Sequence, residues 1–171
     1  YYSEQWVLHN YVSPAQVDEQ TPADAYIAST EKNLDINICP YIEANPETEF
    51  IIFFPPYSIL FWNDVIMENH RDATIEEYRY IAERLNAYAN VKVYFFPDQE
   101  EIISDLNNYA DYSHYHPKFN RYMTECFANG ECLVKKEGEE GLGAGKTIDE
   151  YLAHMREIAE NFDYEELLLR R

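Results

Sequence analysis

Two short runs of β-forming residues constrain the fold of this chain most strongly. Residues 50–54 read Phe-Ile-Ile-Phe-Phe and are followed by two prolines, and residues 91–96 read Val-Lys-Val-Tyr-Phe-Phe and are followed by Pro97. A continuous apolar run of this length is typical of a strand that is buried on both faces of a parallel sheet. We therefore predict two parallel strands, and we expect the first to be a central strand of its sheet.

Helical patterns surround both predicted strands. Helical spacing of apolar residues, or a residue pattern that starts a helix, is found in six segments: residues 30–45, 58–70, 72–89, 98–106, 117–130 and 147–162. Strands that alternate with helices predict an α/β fold, here a flavodoxin-like parallel sheet with helices on both faces. In such a sheet, ligands bind beyond the carboxyl ends of the strands.

The domain organisation follows from length and composition. A chain of 171 residues with 46% apolar residues has the size and the apolar content of one packed domain, so we predict a single α/β domain over residues 1–171. Residues 1–28 are predicted to be an irregular lead-in, and the Gly- and Glu-rich residues 137–145 a flexible connection. Because the chain opens on Tyr1 rather than Met, we expect the polypeptide to extend further upstream.

The charge of the chain excludes several classes of partner. Thirteen basic and 32 acidic residues give a formal net charge of −19, which repels phosphate backbones and anionic lipid headgroups. We therefore expect no nucleic-acid binding and no direct lipid binding by this segment. The apolar runs are also far shorter than the roughly 20 residues that span a bilayer.

The most informative motif for function is Asp111-Tyr-Ser-His114, which precedes the helix predicted from Pro117. A carboxylate three residues before an imidazole has the spacing to orient a histidine as a general base, as in a hydrolytic triad. A loop aspartate that only caps a turn has the same spacing. Triad chemistry also requires a nucleophile, and no serine or cysteine of this chain stands in a recognisable nucleophile turn.

Two further residue sets allow other interpretations. His114 and His116 are alternate residues of one segment and Asp111 is near, so these three residues are an alternative set of metal ligands. Cys126 and Cys132 flank the turn dipeptide Asn129-Gly130 and have a spacing that permits a disulfide bond in an oxidising compartment. We predict neither a bound metal nor any other cofactor.

Four sequence blocks together resemble the C-terminal half of bacterial SGNH-hydrolase-like proteins, a superfamily of surface esterases and proteins of cell-wall polymer acylation. The resemblance covers residues 30–165, and the blocks that carry it are residues 53–60, 90–96, 108–116 and 120–123. In this family an Asp-x-x-His block supplies the carboxylate and the base. The resemblance therefore assigns these roles to Asp111 and His114, and it implies that residues 29–171 are the C-terminal part of such a domain.

The other family motifs are absent from this sequence. The family places its nucleophilic serine in a Gly-Asp-Ser or Gly-Thr-Ser turn, and this chain has no such turn. It also lacks the family's Gly-x-Asn-Asp block, which Asn63-Asp64 matches only in part. The resemblance implies that the serine lies upstream of this chain. It also implies that Tyr57, Ser58 and His116 line the cleft next to the Asp-His pair.

The predicted function is that of a serine esterase or acyltransferase-related protein that acts on an acyl ester of a cell-surface glycan or polymer. The alternative is a non-catalytic binding or scaffold domain of the same fold with an incomplete site. The resemblance implies a location at the bacterial cell surface, or anchoring to the membrane through an upstream segment. The acidic composition alone fits an exported and a cytoplasmic protein equally.

Overall fold

The computed structural model describes residues 2–139 and 145–171 of the chain. Its architecture is mixed α/β, so the predicted fold class is confirmed at that level. The elements in chain order are α1 (Glu4–Asn10), α2 (Ala23–Asn37), α3 (Cys39–Ala44), β1 (Phe50–Phe54), α4 (Ile59–Met67), α5 (Arg71–Asn86), β2 (Val91–Phe95), α6 (Glu100–Ile103), a 3-10 helix (Leu106–Asn108), α7 (Lys118–Asn129), α8 (Ile148–Asn161) and α9 (Tyr164–Leu168).

Both predicted strands are present, and they pair in parallel. The register aligns Phe50 with Val91 and Phe54 with Phe95. The other edge of β2 bonds to the chain near Leu133, where Phe95 N–H donates to Cys132 O at 2.9 Å and Val134 N–H donates to Val93 O at 2.8 Å. Strand β2 is therefore paired on both of its edges.

Successive side chains of a strand point to opposite faces of a sheet, and helices pack against both faces of β2. On one face Phe54 and Phe95 contact Tyr78 of α5, and Phe95 contacts Tyr151 of α8 with 5.3 Å between ring centroids. On the other face Tyr94 and Phe96 pack against the apolar side of α7, which contributes Met123, Cys126 and Phe127. This arrangement matches the predicted helices on both faces.

The prediction that β1 is a central strand buried on both faces is wrong for the described residues. Ile51 is 41% exposed and Phe53 is 40% exposed, while Phe54 is buried. Phe50 N–H donates to Asn90 O, and Phe54 O accepts from Phe96 N–H. The backbone groups of Phe50 and Phe54 therefore point toward β2. By alternation, the backbone groups of Ile51 and Phe53 point to the other edge, where no described strand lies. Within residues 2–139 and 145–171, β1 is therefore an edge strand.

The lead-in and the first long helix also differ from the prediction. Part of the segment expected to be irregular forms α1, which Ser3 caps by accepting a hydrogen bond from Trp6 N–H at 3.2 Å. The helix predicted over residues 30–45 begins earlier, at Ala23, and is divided into α2 and α3 at Ile38, just before Pro40. Pro40 has no N–H to donate to the carbonyl of Ile36, and its ring would clash with that carbonyl in a continuous helix, so α2 ends before it and Pro40 is tolerated in the first turn of α3.

Helix-start patterns had mixed outcomes. Thr147 and Glu150 form a capping box at the start of α8, where a helix is predicted from residue 147, and Ser58 caps α4. By contrast, α5 begins at Arg71, close to the predicted start at residue 72, but no side chain caps it. The predicted flexible connection over residues 137–145 lies largely outside the described residues.

Candidate functional site: the Asp111–His114 pair

The structure brings Asp111 and His114 into direct contact. Oδ2 of Asp111 lies 2.7 Å from Nδ1 of His114, and Oδ1 of Asp111 accepts hydrogen bonds from the backbone N–H groups of Ser113 at 2.9 Å and His114 at 2.8 Å. The carboxylate thus makes two kinds of contact at once, because one oxygen caps the turn and the other binds the imidazole. A carboxylate at Nδ1 favours the tautomer that leaves Nε2 free to accept a proton.

The contacts of Asp111 also set its charge state. Partial burial raises the pKa of the Asp111 carboxyl, but the hydrogen bonds from the backbone of Ser113 and His114 and from the His114 ring lower it by more. The net result is a pKa below the usual value for aspartate. Asp111 is therefore ionised at neutral pH, as a group that orients a histidine and stabilises its protonated form must be.

Backbone hydrogen bonds join the two ends of the loop that carries the pair. Tyr109 and Tyr115 form an antiparallel bridge, Ala110 N–H donates to His114 O at 2.9 Å, and His116 N–H donates to Asn108 O at 2.6 Å. These bonds close residues 109–115 into a compact loop. The Asp-His contact therefore rests on a defined backbone rather than on side-chain rotamers alone.

Two buried side chains fasten this loop to the carboxyl end of β1. The hydroxyl of Tyr109, a fully buried residue, donates to Pro56 O at 2.7 Å. At the tip of the loop, Oγ of Ser58 donates to Tyr112 O at 2.6 Å, and the Ser58 N–H donates to the same oxygen at 3.3 Å. The chain runs from β1 through Pro55-Pro56 to the N-cap serine of α4. The contacts of this segment place the Asp-His pair directly beyond β1.

Of the three residues expected to line the cleft, Tyr57 does so, and Ser58 and His116 do not. A cavity of about 560 Å³ next to the pair is lined by Phe53, Pro55, Tyr57, Ser113, His114, Tyr115 and Asn120. Ser58 is fully buried below this cavity and holds the loop instead. His116 points elsewhere, because its ring lies 4.4 Å from that of Tyr2 and its Nδ1 accepts a hydrogen bond from Lys118 N–H.

No nucleophile faces the imidazole in the described part of the chain. The serine that lines the cavity, Ser113, has its Oγ 3.4 Å from Nδ1 of His114, which is the nitrogen already bound to Asp111. A triad serine must instead bond to Nε2. Asn63, which in part matches the family asparagine block, is buried and donates to the hydroxyl of Tyr11 at 2.7 Å. Its contacts are those of a residue that stabilises the packing of α4.

The alternative metal site is not formed. In residues 2–139 and 145–171, no group of three or more His, Cys, Asp or Glu side chains has the geometry to hold a metal ion. Asp111, His114 and His116 therefore do not converge. The cysteines are also unpaired, since Cys39, Cys126 and Cys132 are all free thiols, and burial raises the pKa of Cys132 to about 12.

Sequence reasoning missed a second aspartate–histidine contact, between Asp98 and His154. The two residues are separated by 56 positions in the chain, so no local spacing indicated that they meet. The position of Asp98 just beyond the predicted end of β2 was the one available indication, because polar residues at carboxyl ends of parallel strands often face ligands.

Comparison of the chain with protein-family models, with curated proteins and with solved structures found no significant match. Within residues 2–139 and 145–171, none of the helices combines the length and the apolar character that crossing a bilayer requires.

Proposed function

We propose that this chain is the base-bearing part of an SGNH-like serine esterase or acyltransferase-related protein, with the nucleophilic serine supplied by polypeptide upstream of it. The observation that carries the proposal is the 2.7 Å contact between Asp111 and His114, on a loop fastened to the carboxyl end of a parallel strand and next to a cavity. This is the position at which α/β sheets bind ligands.

The proposed sheet is flavodoxin-like and extends beyond β1. The support is the unpaired outer edge of β1, together with the 41% and 40% exposure of the Ile51 and Phe53 side chains. Parallel sheets are normally covered on both faces and contain more than two strands, so an uncovered apolar edge of this kind fits a sheet that continues.

In the proposed reaction, Nε2 of His114 takes the proton from the serine hydroxyl as the serine oxygen attacks the acyl carbonyl. Asp111 keeps Nδ1 protonated and stabilises the imidazolium. When the tetrahedral intermediate collapses, the imidazolium gives its proton to the leaving alkoxide, and an acyl-serine remains. Water, or an acceptor hydroxyl, then attacks the acyl-serine carbonyl as His114 takes its proton. The imidazolium returns this proton to the serine oxygen as the acyl–serine bond breaks, which regenerates the serine hydroxyl and the neutral imidazole.

The proposed substrate is an acyl ester of a cell-surface glycan or polymer, and the proposed location is the bacterial cell surface. Both rest on the sequence resemblance. The open position of the pair supports a large substrate, because the His114 side chain is 79% exposed and the Asp111 side chain is 46% exposed. An extended polymer can reach an imidazole on the surface, whereas a small ligand is normally enclosed more fully.

A second candidate function is a non-catalytic binding or scaffold domain that keeps the hydrolase fold. The observation that favours it is the arrangement at His114, where the described residues place a carboxylate at Nδ1 and no hydroxyl group in hydrogen-bond contact with Nε2. In that case the Asp-His pair only stabilises its loop.

The test uses the complete polypeptide that the gene encodes and a fluorophosphonate, which labels activated serines covalently. We expect labelling of the unaltered protein, and a labelling rate at least about a hundredfold lower after His114→Ala or Asp111→Ala, because general-base assistance typically contributes that factor or more. His9→Ala, which changes an exposed histidine of α1, is the control and should label normally. Absence of labelling, or equal labelling of all variants, would overturn the esterase proposal in favour of the scaffold.

A further inference from the structure

A second charged cluster lies at the carboxyl end of the other strand, β2. Asp98 follows β2 by three residues, and its side chain is 1% exposed. Its carboxylate accepts hydrogen bonds from Gln99 Nε2 at 2.9 Å, from Lys146 Nζ at 3.2 Å and from His154 Nδ1 at 3.2 Å. Lys146 and His154, which are distant from Asp98 in the sequence, thus converge on one buried carboxylate.

The contacts of Asp98 determine what His154 presents to its surroundings. A buried carboxylate needs a counter-charge, and the Lys146 ammonium supplies it. In the tautomer that donates from Nδ1 to Asp98, the lone pair of Nε2 is left as a hydrogen-bond acceptor. The His154 side chain is 41% exposed, and no described residue bonds to Nε2.

A cavity of about 600 Å³ opens next to this cluster, and Asp98, Lys146 and His154 form part of its wall. This volume is in the range of small-molecule sites. Phe119 and Ile102 supply apolar surface, and Tyr122 holds the wall in place by donating to Gln99 Oε1 at 3.0 Å. The cavity therefore combines a rigid polar group with an apolar contact surface.

The charges around the cavity select the ligand. Lys118 lines it and forms no ion pair with a described residue, its Nζ lying over the ring of Phe119. Lys146 uses one of its three N–H groups on Asp98, and the other two donate to no described residue. Glu100 and Glu101 also line the cavity, and together with the net charge of −19 they disfavour ligands with several negative charges.

His154 also borders a smaller cavity of about 320 Å³. That cavity has Glu100, Glu157 and Asp163 in its lining and no lysine. An anion is repelled there, so the cavity shared with Lys118 and Lys146 is the one that fits an anionic ligand.

We propose that the cavity beside Asp98 and His154 is a second ligand site, which binds a small monocarboxylate that carries a hydroxyl group. The ligand carboxylate contacts the ammonium groups of Lys118 and Lys146, and the ligand hydroxyl donates to Nε2 of His154. Asp98 is the positioning residue for Lys146 and His154. This inference involves neither Asp111 nor His114, so it stands or falls independently of the proposed esterase function.

The test follows the His154 ring by NMR in the 171-residue protein near pH 8 and compares three probes of similar size: glycerate, propionate and glycerol. Glycerate carries both groups, whereas propionate lacks the hydroxyl and glycerol lacks the charge. We expect a saturable shift of the His154 ring resonances with glycerate, and binding at least about fivefold weaker for each of the other probes, because each lacks one set of hydrogen bonds.

Two variants assign the contacts. Lys118→Gln should weaken glycerate and propionate by about fivefold and leave glycerol unchanged, while Lys32→Gln, at an exposed lysine of α2, should change nothing. His154→Gln, followed through the amide of Gln99, should remove the preference for glycerate over propionate. No saturable shift with glycerate, equal affinity for all three probes, or an equal response of both lysine variants would overturn the site.

Discussion

Ser58 links two parts of the molecule, and its replacement by alanine tests how the Asp-His loop is held. Its Oγ accepts from Leu60 N–H at 3.3 Å as the N-cap of α4, and the same hydroxyl donates to Tyr112 O at 2.6 Å. Loss of an N-cap costs about 1 kcal/mol. Loss of a buried hydrogen bond to a carbonyl costs about 1 kcal/mol more. We therefore expect Ser58→Ala to lower the free energy of unfolding by about 2 kcal/mol.

A matched control separates the cap from the loop contact. Thr147 is also an N-cap, with its Oγ1 accepting from Glu150 N–H at 3.2 Å, but α8 does not contact the loop through it. Thr147→Ala should lower the free energy of unfolding by about 1 kcal/mol, since only the cap is lost.

The assay is urea unfolding followed by circular dichroism, combined with NMR of the His114 ring. Ser58→Ala should also reduce the fraction of His114 in the Nδ1-protonated tautomer, whereas Thr147→Ala should leave it unchanged. Equal stability losses in the two variants, together with an unaltered His114 ring in both, would refute the conclusion that Ser58 fastens the loop.

Three further outcomes follow from burial and charge. Phe95→Ala should lower the free energy of unfolding by about 3–5 kcal/mol, and Phe53→Ala, at a residue 40% exposed, should lower it by less than half of that. A similar loss for both variants in urea unfolding would contradict the edge position of β1. Because the pKa of Asp111 is below its usual value in the folded protein, its stabilising contribution is present above about pH 4 and is lost as pH falls through the lower, folded-state pKa. The unfolding free energies at pH 7 and pH 3 should therefore differ by less in Asp111→Asn than in the unaltered protein. The reduction should be less than about 1 kcal/mol, because the carboxylate is partly exposed. An unchanged or larger difference in the urea data would contradict this. Burial raises the pKa of Cys132 to about 12, so its alkylation by iodoacetamide at pH 8, followed by mass spectrometry, should be at least about a hundredfold slower than in the unfolded chain; comparable rates would contradict its burial.

The sequence indicated the two strands and most helices because their signals are local. Strand β2 matches its prediction closely, since an apolar run bounded by a proline is recognisable in a short window. The edge position of β1 was not predictable in this way. Its sequence Phe-Ile-Ile-Phe-Phe has the composition of a fully buried strand, and whether Ile51 and Phe53 are covered depends on which segment lies next to the strand.

The candidate site shows the same division. The contact between Asp111 and His114 was predicted because three residues of spacing within one loop bring the groups together. The burial of Ser58 was missed, since its bond to Tyr112 joins positions 54 residues apart. The Asp98–His154 contact was missed for the same reason. Contacts between distant segments depend on packing, which no local pattern encodes.

The most direct test of the central claim measures hydrolysis of an acyl ester, such as p-nitrophenyl acetate, by the complete gene-encoded polypeptide. If His114 is the general base and Asp111 orients it, His114→Ala and Asp111→Asn should each lower kcat by at least about a hundredfold, with circular dichroism unchanged. His154→Ala should retain full turnover, because its ring belongs to the other cavity. Equal turnover in the unaltered protein and in the His114 and Asp111 variants would contradict the account.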